Sequence, residues 1–201
     1  MGYFDVSRFF YTFAENNQLS YIMTKFKIIA CINQKKALGK EGKLLYHIGN
    51  DLVNFKRCTT NNVVIMGRKT FESLPNGEPL KNRINIIIST NEDFGVDSKF
   101  DNVFIVKSVE DVIELCEAYF SDKELFVIGG ESIYREFMTR ELVDEMRLTI
   151  VNDDAEGDVF FPDYNEEDWY IYYKSMAQVS SWEGVDKSFY YEILLKKKEG
   201  E

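Results

Sequence analysis

The chain has 201 residues, a length that predicts one domain with a sizeable core. Its formal net charge of −10 disfavours nucleic acids and anionic membranes as partners, because both bind basic surfaces, and no apolar run is long enough to cross a membrane. Three widely spaced cysteines, Cys31, Cys58 and Cys116, lie in apolar runs and predict buried thiols of a reducing cytoplasm. We therefore expect a cytoplasmic protein, and we expect it to be a monomer.

The sequence offers few residues for metal or histidine chemistry. It contains neither a CxxC motif nor a cluster of metal ligands, so we expect no metal site. The single histidine, His47, is predicted to lie in a loop before a helix, which disfavours a Ser-His-Asp or Cys-His mechanism.

Residues 1–25 differ in character from the rest of the chain. Aromatic residues are mixed there with acids and polar residues, and no uninterrupted apolar core of the length that a secretory signal needs is present. We predict a dispensable extension of unknown role, with Met23 as an alternative start, ahead of one domain at residues 26–198.

Apolar runs and helical patterns alternate through most of that domain. About eight runs predict strands, at residues 26–33, 63–66, 85–90, 102–107, 125–130, 145–151, 170–176 and 188–197. Helical patterns occupy residues 50–58, 70–74, 108–120 and 132–138. This order predicts an α/β fold with a mixed, mostly parallel eight-stranded sheet flanked by helices. The last two strands have no helix between them, so a loop at 180–188 is expected to join a C-terminal antiparallel pair.

The segment from Asn33 to Tyr46 is longer than a typical connection and is rich in glycine and lysine. It is a candidate lid over a site at the strand ends, or alternatively a flexible loop in contact with solvent.

The helix predicted at residues 50–58 places an acid among apolar residues. Asp51, Phe55, Cys58 and Thr59 recur on the face that would look inward with Leu52. In one interpretation, Asn50 caps the helix and Asp51 complements its dipole. In the other, a partly buried carboxylate binds a polar ligand or helps to protonate it.

The strand that follows ends at Gly67 and leads directly into Arg68, Lys69 and Thr70. If a helix begins there, backbone N–H groups and two cations converge where an anion could bind, although a solvated basic pair is the simpler interpretation. The segment is not a P-loop, because Arg68 precedes Lys69 and the required glycine spacing is missing.

A second glycine element, Gly129-Gly130, follows a later strand and precedes Ser132, which could cap the next helix. Adjacent glycines allow a close approach of backbone to a pyrophosphate, but they lack the spacing of the usual dinucleotide fingerprint.

Four blocks, DLVNFKRCT, VIMGRKTFESL, PLKNRINIIIS and FVIGGESIY, occur in the order and spacing of dihydrofolate reductases. Over about residues 26–197 the chain resembles the bacterial type, with aspartate at the acid position. The resemblance implies the fold of that family, with Gly129 and Gly130 joined by a cis peptide. It also implies NADPH-dependent reduction of 7,8-dihydrofolate to tetrahydrofolate, which supplies one-carbon metabolism, and binding of antifolates such as methotrexate or trimethoprim.

The same resemblance implies site residues. The implied catalytic set is Asp51, Tyr46 and Thr149. The implied substrate contacts are Ile29, Ala30, Cys31, Asp51, Leu52, Phe55, Leu74, Leu80, Arg83, Ile128, Tyr134 and Thr149. The implied cofactor contacts are Cys31, Leu38, Gly39, Leu44, Gly67, Arg68, Lys69, Thr70, Ser89, Thr90, Lys107, Ile128, Gly129, Gly130, Glu131, Ser132, Ile133 and Tyr134.

Two positions depart from the pattern of the family. Tyr46 stands where a tryptophan is usual, and Gly49 stands where a proline is usual. Tyrosine keeps an aromatic surface and a hydrogen-bond donor in a different geometry, so we expect an altered rate or inhibitor response but retained function. Two alternatives remain: a reductase of a ribosylated pyrimidine in riboflavin synthesis, and a catalytically silent NADPH-binding module.

Overall fold

The computed structural model describes residues 24–182 and 185–198. The predicted extension, including Met23, therefore lies outside the described residues except for its last two positions. At the first strand, the Phe26 N–H donates to the Leu142 carbonyl at 3.0 Å. The Phe26 side chain is fully buried and meets Phe137 edge to face.

One large sheet organises the described part of the chain. Eight strands form a path in the order β10-β12-β8-β1-β7-β4-β5-β6, and β11 (Gln178–Trp182) pairs with β12 beside it. The pairings from β8 to β6 are parallel, whereas β12 runs antiparallel to β8, β10 and β11. The strands of the path are β1 (Phe26–Asn33), β4 (Val63–Gly67), β5 (Ile84–Ile88), β6 (Val103–Val106), β7 (Leu125–Gly129), β8 (Val143–Val151), β10 (Trp169–Lys174) and β12 (Val185–Lys196). This confirms the predicted mixed sheet.

Four α-helices connect the parallel strands: α1 (Gly49–Thr59), α2 (Arg68–Glu72), α3 (Val109–Tyr119) and α4 (Glu131–Thr139). A capping box fixes the start of α3, because the Ser108 side chain accepts from the Asp111 N–H and the Asp111 side chain accepts from the Ser108 N–H. Helix α1 begins one residue earlier than predicted, with Ile48 at its N-cap. The interpretation of Asn50 as the cap is therefore wrong.

The predicted lid is a small sheet. Strand β2 (Ala37–Lys40) pairs with β3 (Lys43–Leu44) on one side and with β9 (Val159–Phe160) on the other. Glu41 and Gly42 both have positive φ and form the two-residue turn of the hairpin. These strands are very short, and β3 is exposed, so the sequence carries almost no alternating pattern to predict them.

The C-terminal pair is also more elaborate than predicted. Residues 180–188 were expected to form a loop, but β11 (Gln178–Trp182) and the start of β12 form a hairpin there. The exposed side chains of Val179 and Val185 show why the pattern was weak, since this ribbon has little buried face.

The three cysteines differ in burial. Cys116 is buried in the main apolar cluster under α3. Cys31 and Cys58 are half-buried, so the expectation of three buried thiols is wrong for these two. Cys58 borders an open cavity beside α1, and Cys31 lies on β1 against the apolar cluster that contains Tyr46. All three are free thiols. None of the described helices is long and apolar enough to span a membrane.

Candidate active site

A cavity of about 970 Å³ opens at the carboxyl ends of β4, β5 and β7, the edge where parallel sheets of this kind bind ligands. Most of the predicted cofactor residues line it together: Leu38, Gly39, Leu44, Gly67, Arg68, Lys69, Thr70, Ser89, Thr90, Ile128, Gly130, Glu131, Ser132, Ile133 and Tyr134. Its size suits a dinucleotide better than a single small ring.

Glycines let the two strand-to-helix junctions approach each other. A Cβ atom at Gly67 would lie 3.1 Å from Ile133 Cγ1, and one at Gly130 would lie 3.2 Å from Thr70 Oγ1. Gly129 has φ of +113°, which side-chain-bearing residues rarely adopt, and the Gly129–Gly130 peptide is cis. The close approach leaves backbone, not side chains, facing the cavity, which fits a pyrophosphate between two helix starts.

Helix α4 begins at Glu131 with Gly130 at its N-cap, and no side chain caps it. The prediction that Ser132 caps this helix is wrong, because Ser132 lies inside the first turn. Ser132 lines the cavity instead, so the first-turn N–H groups lack a side-chain partner from the cap.

The basic residues of the cavity are not equivalent. Arg68 pairs with Glu72 at 2.7 Å, which offsets part of its charge. Lys69 is exposed and forms no ion pair with any described residue. Lys69 is therefore the cation of this pair whose charge is fully available to an anion.

Three further residues of the implied cofactor set, Ser89, Thr90 and Lys107, separate into two groups. Ser89 is buried at the end of β5, where its Oγ accepts from the Asn91 N–H, and exposed Thr90 follows it at the rim of the cavity. Lys107 does not line this cavity, and its ammonium group faces Glu92 at 3.4 Å. The structure thus does not bring Lys107 to the site.

Asp51 is partly buried in the first turn of α1 and faces β8. The Thr149 hydroxyl donates to Asp51 Oδ1 at 2.5 Å. Burial raises the pKa of Asp51, and the Thr149 bond opposes that shift by stabilising the carboxylate. Only one carboxylate oxygen is used by this bond, so the other can accept from a ligand.

Two tyrosines of the implied site are held by hydrogen bonds. The Tyr134 hydroxyl donates to the Ile29 carbonyl at 2.9 Å, and burial raises the Tyr134 pKa. The Tyr46 hydroxyl accepts from Asn33 Nδ2 at 3.2 Å, within a cluster that includes Cys31. Tyr46 is buried, and its ring packs in an apolar cluster with residues of β8 and β12.

The predicted apolar contacts of the substrate come from several elements, and Ile128 among them also lines the large cavity. Ile29 and Ala30 are buried in β1, and Phe55 is half-buried on α1. Leu52 is 45% exposed, so the prediction that it shares the inward face of α1 is wrong. Leu52 follows Asp51 directly, and neighbouring residues of a helix point in different directions, so the Leu52 side chain faces solvent. Leu74, Leu80 and Ile128 pack against one apolar cluster beside β4 and β5.

Arg83 is 9% exposed and is held by the end of α1. Its Nε donates to Thr59 Oγ1 at 3.2 Å, and its other nitrogens donate to the Lys81 and Lys56 carbonyls at 2.6 and 3.5 Å. Burial lowers its pKa. These bonds use three of the five guanidinium N–H groups, which leaves two for a ligand carboxylate.

Sequence reasoning missed part of the cavity lining: Gly42, Lys43, Ser73, Ile88, Asn91, Arg135, Glu136, Thr139, Arg140 and Val159. The helical period of α4 carries a signal for Arg135 and Thr139, which lie one turn apart after Glu131. No such signal marks Val159, which reaches the cavity through the pairing of β9 with β2.

The described residues contain no group of three or more potential metal ligands.

The chain is similar to proteins of known family. The family model described as dihydrofolate reductase matches residues 25–193. A dihydrofolate reductase of Bacillus subtilis is 35% identical over 173 residues, which cover 85% of this chain and 92% of the relative. One from Staphylococcus aureus is 33% identical over 144 residues, covering 72% and 82%.

Among solved structures, a dihydrofolate reductase from Enterococcus faecalis complexed with NADP(H) and RAB-propyl superposes with a TM-score of 0.73. The match is 28% identical and covers 88% of this chain and 98% of that one.

Proposed function

Because the chain belongs to the dihydrofolate reductase family, we propose that it reduces 7,8-dihydrofolate to tetrahydrofolate with NADPH. The observation that carries the proposal is the hydrogen bond between Thr149 on β8 and Asp51 on α1. It is accompanied by the grouping of most predicted cofactor residues in one cavity. The product would supply one-carbon units for thymidylate and purine synthesis.

In this proposal, Asp51 orients the pterin. A carboxylate matches the paired donors of the pterin, N3 and the 2-amino group, in shape and charge. Thr149 already donates to Oδ1 and keeps the carboxylate facing β8. Burial raises the pKa of Asp51. The raised pKa lies closer to the operating pH, where an acid–base group influences proton delivery most.

The cavity at the ends of β4, β5 and β7 holds NADPH in the same proposal. Backbone at Gly67 and Gly130 would hold the pyrophosphate, and Arg68, Lys69, Ser89 and Thr90, which line the same cavity, would bind the 2′-phosphate. NADPH supplies the hydride that reduces C6 of the pterin.

The remaining residues exclude water and steer the proton. Ile29, Ala30 and Phe55 provide apolar walls around the pterin, and Leu38 and Leu44 on the lid close over the nicotinamide side. N5 takes its proton from a water molecule whose access the lid and Asp51 control. The two free N–H groups of Arg83 bind the α-carboxylate of the glutamate tail.

The test is the loss of NADPH absorbance with purified protein and dihydrofolate. We expect turnover that requires dihydrofolate and that methotrexate and trimethoprim inhibit. Asp51→Asn should reduce turnover at neutral pH by at least about 100-fold, the usual size of a lost acid–base contribution. The matched control is Asp101→Asn at an exposed position, which should keep wild-type turnover.

Near-normal turnover in Asp51→Asn would contradict the assignment of this acid. Reduction of a ribosylated pyrimidine with none of dihydrofolate would contradict the proposed substrate. Saturable NADPH binding without turnover of either substrate would contradict the proposed reaction.

A further inference from the structure

A cavity of about 360 Å³, which we call the α1 cavity, lies between helix α1 and the antiparallel end of the large sheet. Its lining comes from α1, β8, β10, β11 and β12, and it shares no residue with the lining of the large cavity. The residues proposed as walls around the pterin, Ile29, Ala30 and Phe55, do not line it either. Thr149 borders it and also donates to Asp51. The proposed reaction therefore gives the α1 cavity no role.

Helix α1 presents a polar face to this cavity. Asn50, Val53, Asn54, Arg57 and Cys58 line it with the spacing of one helical face. A helix that packs on a sheet normally buries an apolar stripe, but Thr59 is the only residue of α1 that is fully buried. This face of α1 thus leaves space between polar side chains where a core would otherwise be filled.

Two guanidinium groups line the α1 cavity, and no carboxylate of the described residues does. Arg57 is exposed, its Nη2 donates to Asn54 Oδ1 at 3.0 Å, and it forms no ion pair within residues 24–182 and 185–198. Arg147 donates from Nε to Glu145 Oε1 at 2.5 Å and from Nη1 to Cys58 Sγ at 3.2 Å. These bonds use two of the five guanidinium N–H groups of Arg147. The local charge is therefore positive, although the chain carries a net charge of −10.

The charge of Arg57 acts on Tyr191, which lines the cavity from β12. Burial raises the pKa of the Tyr191 hydroxyl, Asp51 raises it further, and Arg57 opposes the shift. Tyr173 adds a second ring at the exposed rim, and Leu148 adds an apolar side chain from β8. A ligand in the α1 cavity would thus meet a cation and aromatic rings together.

Charge and size restrict the class of ligand. Glu145 offsets part of the charge of Arg147, so the cavity suits a monoanion better than a dianion such as phosphate. A guanidinium group matches a carboxylate in shape and can donate two parallel bonds to it. The volume lies near the lower end of small-molecule sites, which begin at about 300 Å³, and it has room for a single ring. Tyrosine rings favour an aromatic ring by offset or edge-to-face packing.

We propose that the α1 cavity binds a small aromatic carboxylate, with its ring beside Tyr191 and its carboxylate held by Arg57 and Arg147. The site is separate from the proposed active site, and binding there needs no turnover. The experiment below therefore has the same meaning whether or not the chain reduces dihydrofolate.

Benzoate is the probe, and isothermal titration calorimetry at low salt measures its Kd. NADPH is present at saturating concentration to occupy the large cavity. We expect saturable binding of benzoate, whereas benzamide, which has the same shape and no charge, should bind at least about tenfold more weakly because a bond between charged groups is lost. Equal binding of benzamide, tighter binding of inorganic phosphate, or no saturable binding of benzoate would each overturn the proposal.

Arg57→Gln should raise the Kd for benzoate about tenfold for the same reason. Lys56→Gln is the matched control, because it removes the same charge from the neighbouring exposed position of α1 and does not line the cavity. That variant should keep the wild-type Kd. Equal losses in both variants would indicate a general effect of surface charge and would overturn the proposal.

Two further variants locate the bound benzoate. Asn54→Phe changes no charge and frees the Arg57 N–H that Asn54 accepts, but its ring occupies the cavity, so benzoate binding should be lost. Arg83→Gln should leave the Kd unchanged, and a loss there would place benzoate at the proposed substrate site instead. Circular dichroism checks that each variant folds. If Asn54→Phe does not fold, Arg57→Gln decides, and a wild-type Kd in it overturns the proposal.

Discussion

The Asp51 carboxylate is held between two opposing influences. Burial in the first turn of α1 disfavours its charge, and the hydrogen bond from Thr149 favours it. The net result is a pKa above that of an exposed aspartate. A group whose folded-state pKa is raised binds its proton more tightly in the folded protein, so its ionisation reduces stability.

Replacing Asp51 with asparagine should therefore stabilise the apo protein while it removes activity. Asparagine keeps an oxygen that can accept from Thr149 and carries no charge. We expect the free energy of unfolding at pH 7 to rise by about 1 kcal/mol, a common size for a point substitution. Urea denaturation of both proteins measures the difference.

The pH dependence of the stability difference between Asp51→Asn and the wild type tests the direction of the Asp51 pKa shift. Below the unfolded-state pKa of about 3.9, Asp51 is protonated in both states and contributes no difference. As the pH rises through the higher folded-state pKa, the wild type loses stability relative to Asp51→Asn, and the gap then stays constant. If the stability difference between Asp51→Asn and the wild type narrows as the pH rises, burial does not dominate the pKa of Asp51.

Lys69 should set the preference for NADPH over NADH. Arg68 already shares its charge with Glu72, whereas Lys69 has no acidic partner within the described ranges. We expect Lys69→Gln to raise the KM for NADPH about tenfold, the equivalent of about 1.4 kcal/mol, and to leave the KM for NADH unchanged. Steady-state kinetics at two salt concentrations measure this, and the difference should shrink at high salt.

Lys107→Gln is the matched control, because Lys107 lies outside the cavity and pairs with Glu92. An equal loss in that variant would indicate a general effect of surface charge and would contradict a specific contact at Lys69.

At the scale of elements, the lid is a hairpin held by a neighbouring segment. A Cβ atom at Gly157 would lie 2.7 Å from the Gly39 carbonyl oxygen and 2.9 Å from Ala37 Cβ, so backbone would have to move. We expect Gly157→Ala to destabilise the protein by about 1–3 kcal/mol and to slow turnover, because β2 would shift away from its place over the cavity. Thermal unfolding and steady-state turnover measure the two effects.

Gly49→Ala provides the comparison. Nothing lies within 4 Å of a Cβ atom there, and the residue is the first of α1, where alanine is a good helix former. That variant should be as stable as the wild type or slightly more stable. If both variants behave alike, the close contact at Gly157 does not hold the lid.

The lid also shows where prediction from sequence ends. The buried strands of the large sheet have long β-branched runs, and α3 has both a periodic apolar face and a capping box, so these were predictable. Strands β2, β3 and β9 have two to four residues each and owe their existence to pairing between distant segments. No local sequence pattern predicts such pairing.

The same limit applies within the site. The glycines at the strand ends and the acid on α1 are local signals in the sequence. The structure brings the glycines to one cavity and places the acid opposite Thr149. Side-chain partners are not local signals: the pairing of Lys107 with Glu92 and the exposure of Leu52 depend on neighbours that the sequence does not reveal.

On the scale of the whole molecule, an acidic protein is proposed to bind a strongly anionic cofactor. The net charge of −10 repels NADPH at long range, but screening limits that repulsion to roughly 8 Å at physiological salt. Within the cavity, the charge of unpaired Lys69 and the starts of two helices favour an anion. Binding should therefore be specific to the cavity and only weakly opposed by the rest of the surface.

Bound cofactor should then stabilise the whole domain by mass action. At a free concentration 100 times its Kd, NADPH should add about 2.7 kcal/mol, which corresponds to a rise in Tm of roughly 5–10 °C for a domain of this size. Differential scanning calorimetry over a range of NADPH concentrations measures the shift. NADH at the same concentrations should give a smaller shift in the wild type, and Lys69→Gln should bring the two shifts together. Equal shifts in the wild type would contradict a 2′-phosphate site at Lys69, because the two cofactors differ only in that group.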